Sequence, residues 1–162
     1  MNPIHPALAP LARAAEEMPG TDLAPVLQRA LTEKSWLRPE HRVGDPSGYM
    51  RHVLYVDPDG AFVITAITWL PGQVSPVHGH NVWCAYGIAE GELTEELFRE
   101  SHGKPSPLRT KQLRAGELAE HDLDGKVIHR VSNRSRGTIV SLHLYGVSAG
   151  RLTTGINRIY PS

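Results

Sequence analysis

The sequence predicts a mainly β protein, a sandwich or barrel, carrying a short helical N-terminal flank. From His41 onward, short runs rich in Val, Ile, Leu and Tyr alternate with closely spaced turn signals. These are Asp57-Pro58-Asp59-Gly60, Pro71-Gly72, Glu90-Gly91, Ala115-Gly116, Asp124-Gly125 and the stretch 133–137, a texture typical of all-β domains. Before His41 the texture is helical. No internal repeat, low-complexity tract or long linker divides the 162 residues, a length that suits one domain of roughly 100–150 residues or slightly more.

Residues 7–18 are rich in Ala, Leu and Glu and stop at the breaker pair Pro19-Gly20, so they read as a first helix. Asp22 then caps a second helix, in which Leu23, Val26, Leu27, Ala30 and Leu31 follow helical spacing. We therefore expect a helical flank over 1–40 and a β unit over 41–162, with strands at 49–56, 61–70, 82–89, 92–99, 108–114, 127–131 and 138–145. The stretch 101–107, with Gly103 and two prolines, reads as a loop.

Composition excludes several function classes. Seventeen basic residues balance seventeen acidic ones, which argues against nucleic-acid binding through clustered Lys and Arg. No apolar run approaches the roughly 20 residues of a membrane helix, and the start Met1-Asn2-Pro3-Ile4-His5-Pro6 lacks the pattern of a signal peptide. A single cysteine forbids an internal disulfide framework and suits a reducing cytoplasm. Oligomeric state is not readable.

Nine histidines stand out in this composition. In Pro76-Val77-His78-Gly79-His80 the two histidines are i and i+2, so on a strand both rings project from one face. Two imidazoles so placed can converge on one ion, although H-x-H alone more often marks two ordinary histidines. The surrounding stretch Gly72-x5-His78-x-His80-x3-Cys84-x6-Gly91 resembles the first motif of the cupin superfamily. His129-Arg130-Val131-Ser132-Asn133 matches the end of the second motif, whose upstream Pro-x-Gly is not reproduced. The resemblance implies a cupin double-stranded β-helix, a jelly-roll barrel with a metal at its mouth. The motif glycines each end a strand in a conformation a side chain would obstruct.

Where most cupins place a glutamate ligand, this chain has Cys84. Three neutral histidines then remain as ligands, bringing no charge of their own to a divalent ion. Such a face leaves open positions for exogenous ligands and favours an anionic guest, such as a thiol that loses its proton on binding. Three-histidine zinc can instead activate water, so ligand count does not choose the metal.

Ser141-Leu142-His143-Leu144-Tyr145 alternates, placing Ser141, His143 and Tyr145 on one strand face. Alone, that reads as a half-buried strand with its polar face toward solvent. Beside the cupin motifs, the row resembles the Ser-His-Tyr relay of the cysteine dioxygenase family, cupins that oxidise a thiol to a sulfinate with O2. The likeness extends over 49–145 and includes Trp69-Leu70-Pro71-Gly72, Gly91-Glu92-Leu93 and Glu96-Leu97-Phe98. It implies Fe(II) held by His78, His80 and His129, and Tyr145 beside the bound thiol and O2. By the same resemblance, Ser141 and His143 would orient the Tyr145 hydroxyl. Cys84 corresponds to the cysteine that some members cross-link to this tyrosine by a thioether, though the intervening loop is one residue shorter here. The alternative for Cys84 is a small buried hydrophobe.

Tyr49-Met50-Arg51 resembles the family segment whose arginine grips the substrate carboxylate, a task that suits a guanidinium fork. Arg151 is a second candidate, as in bacterial relatives that prefer 3-mercaptopropionate. His52 points the other way along the strand. Trp36, Trp69 and Trp83 read as core or wall residues, and His5, His41, His102 and His121 as solvated. Arg130, Arg134 and Arg136 form a basic cluster able to steer an anion. The expected activity is cytoplasmic oxidation of a small thiol, cysteine or 3-mercaptopropionate. The competing readings are a metal-binding or sensor cupin without turnover, and a cupin enzyme with a non-thiol substrate.

Overall fold

A computed structural model describes residues 3–161. Among these residues nine strands form two antiparallel sheets that face one another. β1 (Met50–Val56), β2 (Val63–Trp69), β8 (Ile139–Tyr145) and β4 (Cys84–Glu90) lie in the order β1-β2-β8-β4. The second sheet runs β6-β5-β7-β3-β9, from β6 (Lys104–Arg114), β5 (Glu92–Ser101), β7 (Ile128–Ser132), β3 (His78–His80) and β9 (Asn157–Ile159). This is the jelly-roll sandwich the motifs imply. Gly72 and Gly91 of the first motif have φ of 84° and 86°, backbone that a side chain would strain.

α1 (Ala9–Glu16) follows a 3-10 turn at Pro6–Leu8, and α2 (Ala24–Glu33) begins where the Asp22 carboxylate accepts the Ala24 N–H at 3.0 Å. Leu8, Leu11, Leu27 and Leu31 share one buried cluster with Ile64, Ala66, Ala85, Leu142 and Leu144. The helices therefore cover the outer face of the first sheet, and that burial of leucine side chains contributes roughly 1.5–3 kcal/mol per residue. Contact there is close: a Cβ on Gly87 of β4 would stand 2.4 Å from Leu31 and 2.8 Å from the Glu117 carbonyl. No helix among the described residues is long and apolar enough to cross a membrane.

The helical cover decides what the alternation in β8 means. Val140, Leu142 and Leu144 pack toward the helices, so Ser141, His143 and Tyr145 turn into the sandwich. Every residue of β8 is buried. The row is an interior one, and the solvent-facing reading is overturned.

Two elements depart from expectation. The stretch 101–107 is no loop, because β5 and β6 form one long hairpin turning at His102-Gly103, with φ of 52° and 76°. Two successive positive φ values suit a tight hairpin turn. Pro105 and Pro107 are tolerated because β6 is an edge strand, where a missing N–H costs no ladder bond. The other unexpected element is β9, which pairs His78 with Ile159 and His80 with Asn157 and so braces the histidine strand from outside.

Candidate metal centre and cavity

β3 and β7 bring the three histidines together. His78 lies directly opposite His129 in the antiparallel register, and His80 follows two residues on. All three are buried, and one nitrogen from each lies within 4.8 Å of the others. Each ring is fixed from behind through Nδ1. His78 Nδ1 is 2.9 Å from the Pro76 carbonyl, His80 Nδ1 is 3.0 Å from Asp122 Oδ2, and His129 Nδ1 is 2.9 Å from Glu95 Oε1. An acceptor at Nδ1 requires the proton there, so in the neutral ring Nε2 presents a lone pair.

The donor set fits a metal. Nε2 of His78 and Nε2 of His129 stand 3.1 Å apart, two lone pairs that a shared cation reconciles. Burial first, and then the neighbouring His129, pulls the His78 pKa from 6.5 down to about 3. His80 is also lowered by burial, against the opposing pull of Asp122. Neutral imidazole is the ligating form.

The surroundings correct one expectation. The imidazole ligands carry no negative charge, but the protein does bring carboxylates to the site, because Glu95 and Asp122 are 1% and 2% exposed and back two of the three rings. Burial pushes the Glu95 carboxyl up, yet hydrogen bonds from His129 and Tyr86 outweigh it and hold the pKa below the usual range. Sequence reasoning missed both carboxylates. Glu95 carried a signal: it alternates with Leu93 and Leu97, both buried, so it occupies an inward position of β5. Asp122 lies between β6 and β7 in a run of polar residues with no periodicity.

Above the histidines is a small cavity, partly open to solvent, with about 330 Å³ of empty space. Tyr49, Arg51, Cys84, His143, Tyr145 and Asn157 all line it. Arg51 lies over the Tyr49 ring at 5.6 Å, and its buried Nε has no hydrogen-bond partner among the described residues. Tyr49 packs on Trp69 with ring centroids 4.5 Å apart. His52 is outside, with Nε2 3.0 Å from the Val43 carbonyl.

The Ser-His-Tyr row is connected. The Tyr145 hydroxyl lies 3.0 Å from His143 Nδ1, and His143 Nε2 lies 2.7 Å from Ser141 Oγ. Tyr86 stacks on His143 at 4.6 Å with the rings nearly parallel and donates to Glu95 Oε1 at 2.6 Å. Burial, with Arg51 next, holds the His143 pKa well below its usual value. Burial and Cys84 raise that of Tyr145, opposed by Arg51. The row is thus a neutral imidazole beside a protonated phenol.

Cys84 stands opposite Tyr145 in the β4–β8 register, which places cross-strand Cβ atoms about 4.5–5.5 Å apart. The shorter loop therefore does not carry it away from the tyrosine. Burial, and then Asp122 and Glu95, pushes its thiol pKa far up.

The structure does not bring Arg151 to this site. It is exposed, on the 3-10 turn Ala149–Arg151, and does not line the cavity. The basic cluster is also largely engaged. Arg130 forks onto Glu96 at 2.8 and 2.9 Å and Arg134 reaches the same carboxylate at 3.1 Å, leaving little free charge for steering. Trp69 is more than a wall, since its Nε1–H donates to Ser141 Oγ at 2.9 Å. Asn133, ending the second motif, donates to the carbonyls of Trp69 and Gly137 and ties the two motifs together.

Comparison with known proteins agrees with this geometry. The family model described as cysteine dioxygenase type I matches residues 32–149, well over half the chain. Among solved structures, the chain resembles an uncharacterised conserved protein with a double-stranded β-helix domain from Klebsiella pneumoniae. The TM-score is 0.54 at 16% identity, covering 76% of this chain and 93% of that one. A Thermus thermophilus protein aligns with TM-score 0.53 at 19% identity over 67% of this chain and 91% of its own. A latex protein of Thevetia peruviana described as a cysteine peptidase aligns at 0.52 and 14% identity, covering 76% and 79%. At such identities the likeness is of fold alone, and one fold hosts many chemistries.

Proposed function

Because the chain belongs to the cysteine dioxygenase type I family, we propose that it is a non-haem Fe(II) thiol dioxygenase acting on a small thiol carboxylate, cysteine or 3-mercaptopropionate. The product is the sulfinic acid. Both atoms of O2 go to sulfur, and the thiol supplies all four electrons, so no further reductant enters the balance.

The observation that carries this reading is a pairing across one small cavity. Three buried histidines face a half-buried arginine whose buried Nε is unpaired among the described residues. A guest with a metal-binding sulfur at one end and a carboxylate at the other satisfies both. His78, His80 and His129 would hold the iron, which when bound supplies the redox-active centre where thiol and O2 meet. Arg51, braced on Tyr49, receives the carboxylate through its fork. Tyr145 offers its hydroxyl to the reacting groups, with His143 and Ser141 orienting it. Closure of the pocket over a bound guest would exclude water. Cys84, opposite Tyr145 in the strand register, would be the partner for a thioether. The free thiol and the thiol substrate suit the cytoplasm.

The test is O2 uptake by Fe(II)-loaded protein with cysteine, 3-mercaptopropionate, cysteamine and mercaptosuccinate, with the sulfur product identified. Uptake with a thiol carboxylate and matching sulfinate is expected. No uptake with any thiol despite bound iron would overturn the proposal in favour of a sensor or a non-thiol cupin enzyme. Uptake that survives loss of His129 would place the chemistry elsewhere.

A further inference from the structure

We infer that Trp69 is a positioning residue that sets the direction of the Ser141–His143–Tyr145 hydrogen-bond chain, so that the Tyr145 hydroxyl points its proton into the cavity. The inference deepens the proposed reaction and rests on that reading for its kinetic consequence, although the direction of the chain is a property of the protein alone.

His143 is buried and neutral, so its ring carries one N–H, at Nδ1 or at Nε2, and the chain can run either way. Stacking on Tyr86 with the rings 4° from parallel fixes the plane of the ring, and within it Nδ1 faces Tyr145 and Nε2 faces Ser141. What remains is where the Ser141 proton goes. Indole Nε1–H only donates, so Trp69 occupies one lone pair of Ser141 Oγ. The hydroxyl proton then has two acceptors within reach, His143 Nε2 at 2.7 Å and the Ile67 carbonyl at 3.4 Å. The shorter bond takes it, since hydroxyl bonds cluster near 2.7–2.8 Å and are weak at the longer distance. Accepting from Trp69 also polarises the hydroxyl and strengthens it as a donor.

His143 Nε2 is therefore the acceptor, the ring proton sits on Nδ1, and Nδ1–H donates to the Tyr145 oxygen. The Tyr145 proton then has no acceptor among the described residues other than what enters the cavity. In the opposite direction Ser141 would donate to Ile67, His143 would donate to Ser141, and Tyr145 would spend its proton on His143. A guest would then meet only a lone pair. Without the indole N–H, Ser141 loses the donor that holds Oγ beside His143, and the chain tips toward that second arrangement.

The experiment is long-range 15N–1H NMR of the histidine tautomers in metal-free and zinc-loaded protein, wild type and Trp69→Phe, with kcat and KM for thiol-dependent O2 uptake measured on the iron-loaded forms. The wild type is expected to carry the His143 proton on Nδ1. W69F is expected to move it wholly or partly to Nε2, with kcat lowered by about tenfold or more and with KM and iron content held. A wild-type Nε2–H tautomer overturns the inference even if W69F fails to fold. So does a folded W69F that keeps the wild-type tautomer. A tautomer switch in a protein that oxidises no thiol would leave the direction of the chain standing and remove the proposed reaction instead.

Discussion

Replacing Glu95 by Gln separates charge from shape at the metal centre. Glu95 Oε1 accepts from both His129 Nδ1 and the Tyr86 hydroxyl, at 2.9 and 2.6 Å. The amide oxygen of E95Q can occupy the same place and keep both bonds, so the His129 ring stays oriented. What disappears is the negative charge that makes His129 a more basic ligand. Loss of such a partner behind a ligating histidine typically lowers metal affinity about 10–100-fold, or about 1.4–2.8 kcal/mol. Asp122 serves His80 in the same way from the other side, with no hydrogen bond joining the two carboxylates. Because the two rings they back lie 5.1 Å apart and would share one ion, their effects should couple, and E95Q combined with D122N should depart from the simple sum of about 2.8–5.6 kcal/mol.

The assay is competition of the metal-free protein against a chelator for Zn(II) and, without oxygen, for Fe(II), with urea unfolding of each metal-free variant as the control for folding. A folded E95Q whose affinity stays within about twofold of wild type would refute the reasoning. Glu95 would then act on Tyr86 and His129 only as packing.

Arg51→Ala should raise KM for a thiol carboxylate by roughly 10–150-fold, the worth of a hydrogen bond to a charged group, while cysteamine, which has no carboxylate, is little affected; equal losses for both would remove Arg51 from carboxylate binding. Arg151→Ala, at an exposed position away from the cavity, should leave KM unchanged. Stability of the metal-free protein should fall as pH drops below about 6.5. His78, His80 and His143 have lowered folded pKa values, so only the unfolded chain takes up their protons there, at up to about 1.4 kcal/mol per pH unit for each histidine. Carboxylates such as Glu90 and Glu96, also lowered, are ionised in both states above about pH 5, so urea unfolding that is flat between about pH 6.5 and 5 would deny a neutral histidine cluster. Gly87→Ala should cost about 1–3 kcal/mol by forcing α2 off β4, read as a lower urea midpoint.

The features legible in the sequence are those set by local spacing. His78 and His80 at i and i+2 had to share a strand face, and the alternation of 141–145 had to present Ser, His and Tyr together. What spacing could not supply was the partner on the far side of each element. Pro105 and Pro107 read as a loop because an edge position, which excuses a proline, is a property of the sheet order. Residues 157–159 carry no alternation and become a strand only because β3 offers them an open edge. Arg130 and Arg134 looked like free charge because Glu96, on β5, is distant in the chain and becomes their neighbour only through the β5–β7 pairing.

The same logic explains how the site can exist on so small a domain. A strand with polar residues on one face is ordinarily stable only with that face in water. Here α1 and α2 take over the apolar face of β8, which frees Ser141, His143 and Tyr145 to face inward, where each must find a partner or cost stability. The row pairs within itself, Ser141 with His143 and His143 with Tyr145, while Trp69 of β2 donates to Ser141 and Tyr86 of β4 stacks on His143. The N-terminal helices touch none of the cavity, yet they are the reason the polar row lies inside. Loosening them at Gly87 should therefore disturb the Tyr145 hydroxyl as well as lower stability, and a G87A protein with full thiol-dependent turnover and unaltered His143 tautomer would show that the inner row holds without its cover.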